Sequence, residues 1–255
     1  MKTDRGCAST RRLGQSMTDS GKDQRGKKIP GTIREKQKGY VALRLHAVGG
    51  AFDSDQIRAI AGVAEKYGRE RLHLSTRQGI EIHDVRASDA GPAVRELESA
   101  GVTMGADGPR ERIITACPGA ETCRWGIFDM KELARELDRR YFAVEAPYKF
   151  KIAVTGCPNN CAKATENDIG VMGAIVPAWE KGACDDCGAC MTICPTSAIR
   201  KVDERYVVDA PLCLNCSRCT TSSPQRAWTV VQRGFFLWIG GRWARRRVGT
   251  PGSTG

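Results

Sequence analysis

Eleven of the twelve cysteines in this 255-residue chain fall into two tight groups. That clustering limits the fold more than any other feature, because each group must be brought together by loops at the ends of ordered elements. One group is Cys117-x5-Cys123 with Cys157-x3-Cys161. The other is Cys184-x2-Cys187-x2-Cys190-x3-Cys194-Pro195, followed by Cys213-x2-Cys216-x2-Cys219. In a short secreted chain so many cysteines would suggest disulfides. Here no apolar leader opens the sequence, and the clustered spacing reads as metal ligation in a reducing, cytoplasmic compartment. Cys7 stands apart from both groups.

The two groups differ in how much they specify. Cys117, Cys123, Cys157 and Cys161 each follow or lie in a Pro/Gly loop after an apolar run. Four such thiolates can hold a [4Fe–4S] cube; they can also hold a tetrahedral zinc ion. The second group repeats the bacterial two-cluster ferredoxin spacing, in which the fourth cysteine of each run ligates the cluster of the other. Cys213, Cys216, Cys219 and Cys194 therefore make one complete [4Fe–4S] set. The other set has Cys184, Cys187 and Cys190, and its fourth position is Ser223, before Pro224. A serine oxygen can ligate there, the cluster can drop to [3Fe–4S], or it can be labile.

The net charge of +11 resembles a nucleic-acid signal until it is placed. Residues 1–38 hold eleven Lys/Arg against four Asp/Glu, and residues 242–255 hold four Arg and no acid. The body between them has twenty-five of each sign. The excess therefore sits in two tails, read as a basic disordered arm (1–38) and a basic tail (242–255). With no aromatic-studded basic element, nucleic-acid binding is not expected. No run reaches the roughly eighteen apolar residues of a membrane helix, so no transmembrane segment is expected.

Periodicity predicts order from Gly39. Tyr40–Val48 reads as a strand, and a helix capped by Asp53 or Ser54 runs to about Tyr67 with Ile57, Ile60, Ala61 and Ala64 on one face. Arg71–Ser75 and Gly79–Val85 read as strands, and a second helix starts at Ser88 or Asp89 and ends at Gly101. This β-α-β-β-α order predicts a ferredoxin-like half-barrel in an α+β protein. Further strands are expected at 111–116, 148–155, 169–176, 228–231 and 235–239, with a helix over Phe128–Tyr141. The predicted divisions are 39–102 for the half-barrel, 103–179 with 226–241 for an α/β domain, and 180–225 for the cysteine-dense insert. Lys149 and Lys151 alternate on a predicted strand and so share a face. His46, His73 and His83 read as strand histidines with structural roles.

Taken together, the chain resembles the siroheme-containing nitrite and sulfite reductases, most of all the anaerobic and dissimilatory type with an inserted ferredoxin-type domain. The resemblance rests on Leu74-Ser-Thr-Arg-Gln-Gly-Ile-Glu81, Arg112-Ile-Ile-Thr-Ala-Cys-Pro-Gly119 with Cys123, Lys149-Phe-Lys-Ile-Ala-Val-Thr-Gly-Cys-Pro-Asn-Asn-Cys161, the insert, and Gly240-Gly241-Arg242. It covers about residues 39–241. It implies that Cys117, Cys123, Cys157 and Cys161 hold a [4Fe–4S] cluster coupled to siroheme through Cys161. It also implies that Arg77, Arg112, Lys149 and Lys151 bind the anion and carry its reduction, and that Arg77, Arg112, Arg124 and Arg242 help to cradle siroheme. Sulfite is the implied substrate, nitrite the alternative of the same class, and a non-catalytic electron-transfer subunit the alternative of another. Family members continue past Gly-Gly-Arg and enclose siroheme between two related halves. A truncated tail, a second copy or sister subunit, and a redox donor protein are therefore expected.

Overall fold

A computed structural model describes residues 28–240. Cys7, Arg242, most of the basic arm and the basic tail lie outside the described residues.

Four strands, β1 (Thr32–Arg34), β2 (Tyr40–Arg44), β3 (Leu72–Leu74) and β4 (Ile80–Arg86), form an antiparallel sheet in the order β1-β2-β4-β3. Helices α1 (Ser54–Tyr67) and α2 (Ala90–Ser99) complete this half. The Asp53 side chain accepts from the Gln56 N–H at 2.8 Å while Gln56 Oε1 accepts from the Asp53 N–H at 3.0 Å. That reciprocal capping box explains why α1 starts where it does. The buried stripe of α1 is Ile60, Val63 and Ala64, whereas Ile57 is exposed. With Val94 and Leu97 of α2 they cover Val41, Leu43, Ile82 and Val85 in one core. Order also begins earlier than predicted. Ile29 and Thr32 are buried, and β1 pairs with β2 inside the segment expected to be a disordered arm.

The second sheet has the order β10-β7-β6-β5, with β5 (Thr115–Ala116), β6 (Ile152–Thr155) and β7 (Ile169–Trp179) parallel and β10 (Trp228–Ile239) antiparallel to β7. Helix α3 (Met130–Tyr141) covers β5 and β6 through Met130 and Ala134. Its cap, Asp129, accepts from the N–H groups of Lys131 and Glu132, so the helix starts two residues later than Phe128. The predicted strands at 228–231 and 235–239 are one strand, with a bulge between Val230 and Gln232. Between β7 and β10 lie α4 (Ala189–Ile193), the hairpin β8 (Ile199–Val202) and β9 (Arg205–Val208), and α5 (Arg218–Ser222). Among the described residues no helix is long and apolar enough to cross a membrane.

Candidate functional site

The first group of cysteines sits where the parallel strands end. β5 runs into Cys117 and β6 into Gly156-Cys157, as parallel neighbours must at their C-terminal edge. The Gly156 N–H donates to the Cys117 sulfur at 3.0 Å. Burial pushes the Cys157 thiol up, and Cys117, Cys123 and Cys161 push it further, so the four thiols lie within electrostatic reach of one another. The loop bearing Cys123 can close this tightly because of its glycines. A Cβ on Gly126 would lie 2.5 Å from the Ala120 nitrogen, and Gly119 sits at φ +72°. Asn160 Oδ1 accepts from the Ala164 N–H at 2.7 Å, pinning the loop that leaves Cys161 exposed.

The second group follows an internal repeat offset by 29 positions. Asp186 and Asn215 share left-handed φ values of 59° and 55°. Gly188 (φ 70°, ψ 0°) opens α4 as Ser217 (φ 63°, ψ 1°) opens α5. Cys194 (φ −71°, ψ 114°) closes α4 as Ser223 (φ −72°, ψ 118°) closes α5. Ser223 therefore occupies the backbone position of a thiolate without carrying one. Cys194, Cys213, Cys216 and Cys219 ring one small cavity whose other walls include Pro177, Ile199 and Leu214. Burial, then Cys216 and Cys213, push the Cys219 thiol up to about 12. Cys184 and Cys190 pack with Ile199, Tyr206 and Trp228, in a cluster that Cys194 and Cys219 also join.

Two adjoining cavities lie beside the first group, and the second of them reaches Cys161. One, of about 370 Å³, is lined by Arg44, Arg77, Arg112, Lys149 and Lys151, with Glu81 as its acid. The other, of about 460 Å³, is lined by Arg77, Lys151, Lys163, Asn167 and Cys161. They share Thr76, Arg77 and Lys151. Lys149 and Lys151 both line the first cavity, but neither lies on a strand, since β6 begins at Ile152; the backbone of Lys151 is fixed by an N–H bond to Asp168 Oδ2 at 2.9 Å. Arg112 donates to the carbonyls of Ala106 and Gly108 at 2.6 and 2.8 Å. Burial, then Arg44, holds its guanidinium below the usual arginine range. Arg44, which sequence reasoning passed over, pairs with Glu81 at 2.7 Å. Burial pushes Glu81 up, but the hydrogen bonds from Arg44 and His83 outweigh it and leave the carboxyl below its ordinary value. Arg124 is not among the residues lining either cavity. Its guanidinium lies 4.8 Å from the centre of the Trp125 ring.

Arg77 joins the two sheets. It projects from the β3–β4 turn and donates to the carbonyls of Ile113 and Ile152, the latter at 3.0 Å, and to Asn167 Oδ1 at 2.5 Å. Burial lowers it to about 10, against the opposing pull of Glu111 and Asp168. Its neighbour Gln78 holds both backbone groups of Ala116, accepting at 2.9 Å and donating at 2.8 Å.

The sequence also offered no sign of Glu111. It is 3% exposed, and neither of its carboxylate oxygens has a hydrogen-bond partner. Burial pushes its carboxyl from 4.5 to about 8, Arg77 pulls it down, and Asp138 pushes it up. The folded carboxyl thus keeps its proton where the unfolded one has lost it. Stability is complete below the unfolded value and falls as pH rises, levelling once the folded value is passed. Glu111→Gln is expected to flatten that fall, which for one group amounts to at most about 1.4 kcal/mol per pH unit. Denaturant midpoints measured from mildly acidic to mildly alkaline pH check this; equal slopes in both proteins would remove Glu111 from the account.

Two family descriptions match the chain: the nitrite/sulfite reductase ferredoxin-like half domain over residues 33–100 and the nitrite and sulphite reductase 4Fe-4S domain over residues 107–254. The chain belongs to the nitrite and sulfite reductase family. The half domain is the first sheet with α1 and α2, and the 4Fe-4S domain contains the second sheet. The chain is 33% identical to the coenzyme F420-dependent sulfite reductase of Methanocaldococcus jannaschii over 219 residues, 86% of this chain and 35% of that protein. It is 28% identical to a subunit of the anaerobic sulfite reductase of Salmonella typhimurium, over 64% of this chain and 52% of the relative. It thus spans a third to a half of the length of these two relatives. Among solved structures, dissimilatory sulfite reductase I shares the fold with a TM-score of 0.64 at 20% identity, over 80% of this chain and 54% of that one.

Proposed function

We propose that this chain is the siroheme- and iron–sulfur-bearing part of a reductase that converts sulfite to sulfide. The observation that carries the reading is a pair of adjoining cationic cavities that share Arg77 and Lys151, one lined by Lys149 and the other by Cys161. Siroheme presents eight carboxylates, and a cradle of arginines and lysines suits them as well as a sulfite dianion. When bound, siroheme supplies the iron at which the anion is reduced. Cys161 is the thiolate that would join it to the cluster held with Cys117, Cys123 and Cys157. Arg77 and Arg112 are assigned to orienting oxygens through their forked donors. Lys149 and Lys151 are assigned to anion binding and proton supply, since breaking S–O bonds releases oxygen as water.

The cysteine-dense segment is read as an inserted ferredoxin-type domain. Four sulfurs ringing an otherwise apolar cavity suit a cube. The reading is completed by a reducing, cytoplasmic setting, a protein redox donor, and a second copy or sister subunit.

The test is the absorption spectrum of anaerobically purified protein, followed by turnover. The expected result is a siroheme Soret and red band over a broad iron–sulfur background, with sulfite turned over faster than nitrite. Clusters without siroheme would leave an electron-transfer subunit, and faster nitrite turnover would reassign the substrate. The M. jannaschii and Salmonella relatives are named for sulfite, whereas a 36%-identical relative from Emericella nidulans, matching 58% of this chain and 13% of its own length, is named as a nitrite reductase.

A further inference from the structure

Both halves of the internal repeat pack against the second sheet, the first on Trp179 and Trp228 and the second on Ile175. Asn215, midway between Cys213 and Cys216 in that half, forms a clamp with β7: the Ile175 N–H donates to the Asn215 carbonyl at 3.0 Å, and Asn215 Nδ2 donates to the Ile175 carbonyl at 2.7 Å. The Asn215 N–H also lies 3.4 Å from the Cys213 sulfur. Ile175 is 2% exposed and packs in one apolar cluster with Cys157 and Ile127, flanked by Trp125. A chain of contacts therefore runs from the Cys213 sulfur through the Asn215 peptide to Ile175 and on to Cys157. A second bridge lies beside it. Arg218 stands 5.4 Å from the centre of the Trp125 ring and donates to Asn159 Oδ1 at 3.4 Å. Trp125 is two residues from Cys123, and Asn159 two from Cys157.

The other half of the repeat packs on Trp179 and Trp228, at the last rung of the β7–β10 ladder, rather than on Ile175. Asp186, the counterpart of Asn215, pairs with Lys201 and accepts from the Tyr206 hydroxyl at 2.7 Å. The counterpart of Arg218 is Ala189, which has no side chain that could reach across. The left-handed backbone shared by both positions tolerates Asn and Asp alike. Only the amide, however, can donate to a carbonyl.

We propose that Asn215 is a positioning residue that holds the Cys194/Cys213/Cys216/Cys219 set against the Cys117/Cys123/Cys157/Cys161 set, so that the complete half of the insert hands electrons on and the Ser223 half receives them from outside. This rests on the ferredoxin-type reading of the insert. In the step itself one electron leaves the reduced insert centre, which is oxidised by one equivalent, and enters the sheet centre, which is reduced by one. No bond or proton moves, and an external low-potential one-electron donor refills the first centre. Tunnelling falls exponentially with separation, so the clamp sets the rate.

The test uses the full chain with its clusters, reduced by dithionite and followed by freeze-quench EPR, alongside Asn215→Gly, which keeps the backbone angle, and Asp186→Asn. The expected result is unchanged iron and sulfide content in both variants. In N215G, transfer to the sheet centre is slower by roughly tenfold, and magnetic coupling between the two reduced centres is weaker. D186N is expected to match the wild type. Should N215G lose iron, the isosteric N215D, which lacks the donor, carries the same expectation. Wild-type rates and coupling in N215G, or slowing in D186N instead, overturn the inference and leave the proposed function standing. Iron sufficient for only one cube per chain would overturn the reading of the insert, and this inference with it.

Discussion

Arg77→Ala is expected to remove most of the anion affinity and to lower the stability of the whole protein. Among the described residues its guanidinium is the only side chain shared by both cavities that also ties the first sheet to three separate segments of the second, at Ile113, Ile152 and Asn167. Truncation leaves two carbonyls and the 8%-exposed Asn167 amide without that donor. Partly compensated by entering water, this should cost about 2–4 kcal/mol in urea unfolding. On the proposed function, losing one of several converging cations from a desolvated site should also reduce kcat/KM for sulfite by about a hundredfold or more. Arg77→Lys keeps a charge but not the fork, so it should recover part of the affinity and little of the stability. A destabilised R77A enzyme with the wild-type KM for sulfite would show that Arg77 is a strut between the sheets and nothing more.

On the proposed ferredoxin-type reading of the cysteine-dense segment, Ser223→Cys is expected to complete its second set. Ser223 has the backbone angles of Cys194 to within a few degrees, so the thiol enters a position already shaped for it and the exchange needs no rearrangement of the main chain. If the wild-type centre is the three-iron form, the variant should gain about one iron per chain. The [3Fe–4S] EPR signal should then be replaced by that of a reduced four-iron cluster. Identical iron content and spectra before and after the exchange would point instead to a serine oxygen that already completes the wild-type cube. Loss of iron in S223C would show that the second run does not serve this centre.

The cysteine runs were legible in the sequence because ligand spacing is local: each CxxC turn is set by a few neighbouring residues. The helices were legible for the same reason, and Asp53 with Gln56 announces a helix start within four residues. What escaped reading depends on distant partners. Thr32-Ile33-Arg34 is too short and too polar in its surroundings to signal a strand, and it becomes one only by pairing with β2. Arg44 and Glu81 lie on neighbouring strands and converge on Lys149 and Lys151, some seventy or more positions further along. Arg124 had the right type and neighbourhood for the cavity, but Trp125 beside it offers a ring face that the guanidinium takes instead. Glu111 looked like one more charge in an Arg-Glu-Arg run, and only burial reveals it as an uncompensated acid.

The ladder between β7 and β10 closes on the pair Trp179–Trp228, with Ala178 facing Thr229 on the next rung. Residues 180–227 therefore leave the sheet and return to it at a single rung. Such a segment can be gained, lost or exchanged without re-threading any strand, since a tight turn would join the same two residues. The packing is less separable: Trp228 is 3% exposed because Cys190, Ile199 and Tyr206 pack over it, and Asn215 bonds both backbone groups of Ile175. Any lineage or engineer that discards the segment would uncover that indole and free both backbone groups of Ile175, so Trp228 and Ile175 tie the sheet to the segment's presence.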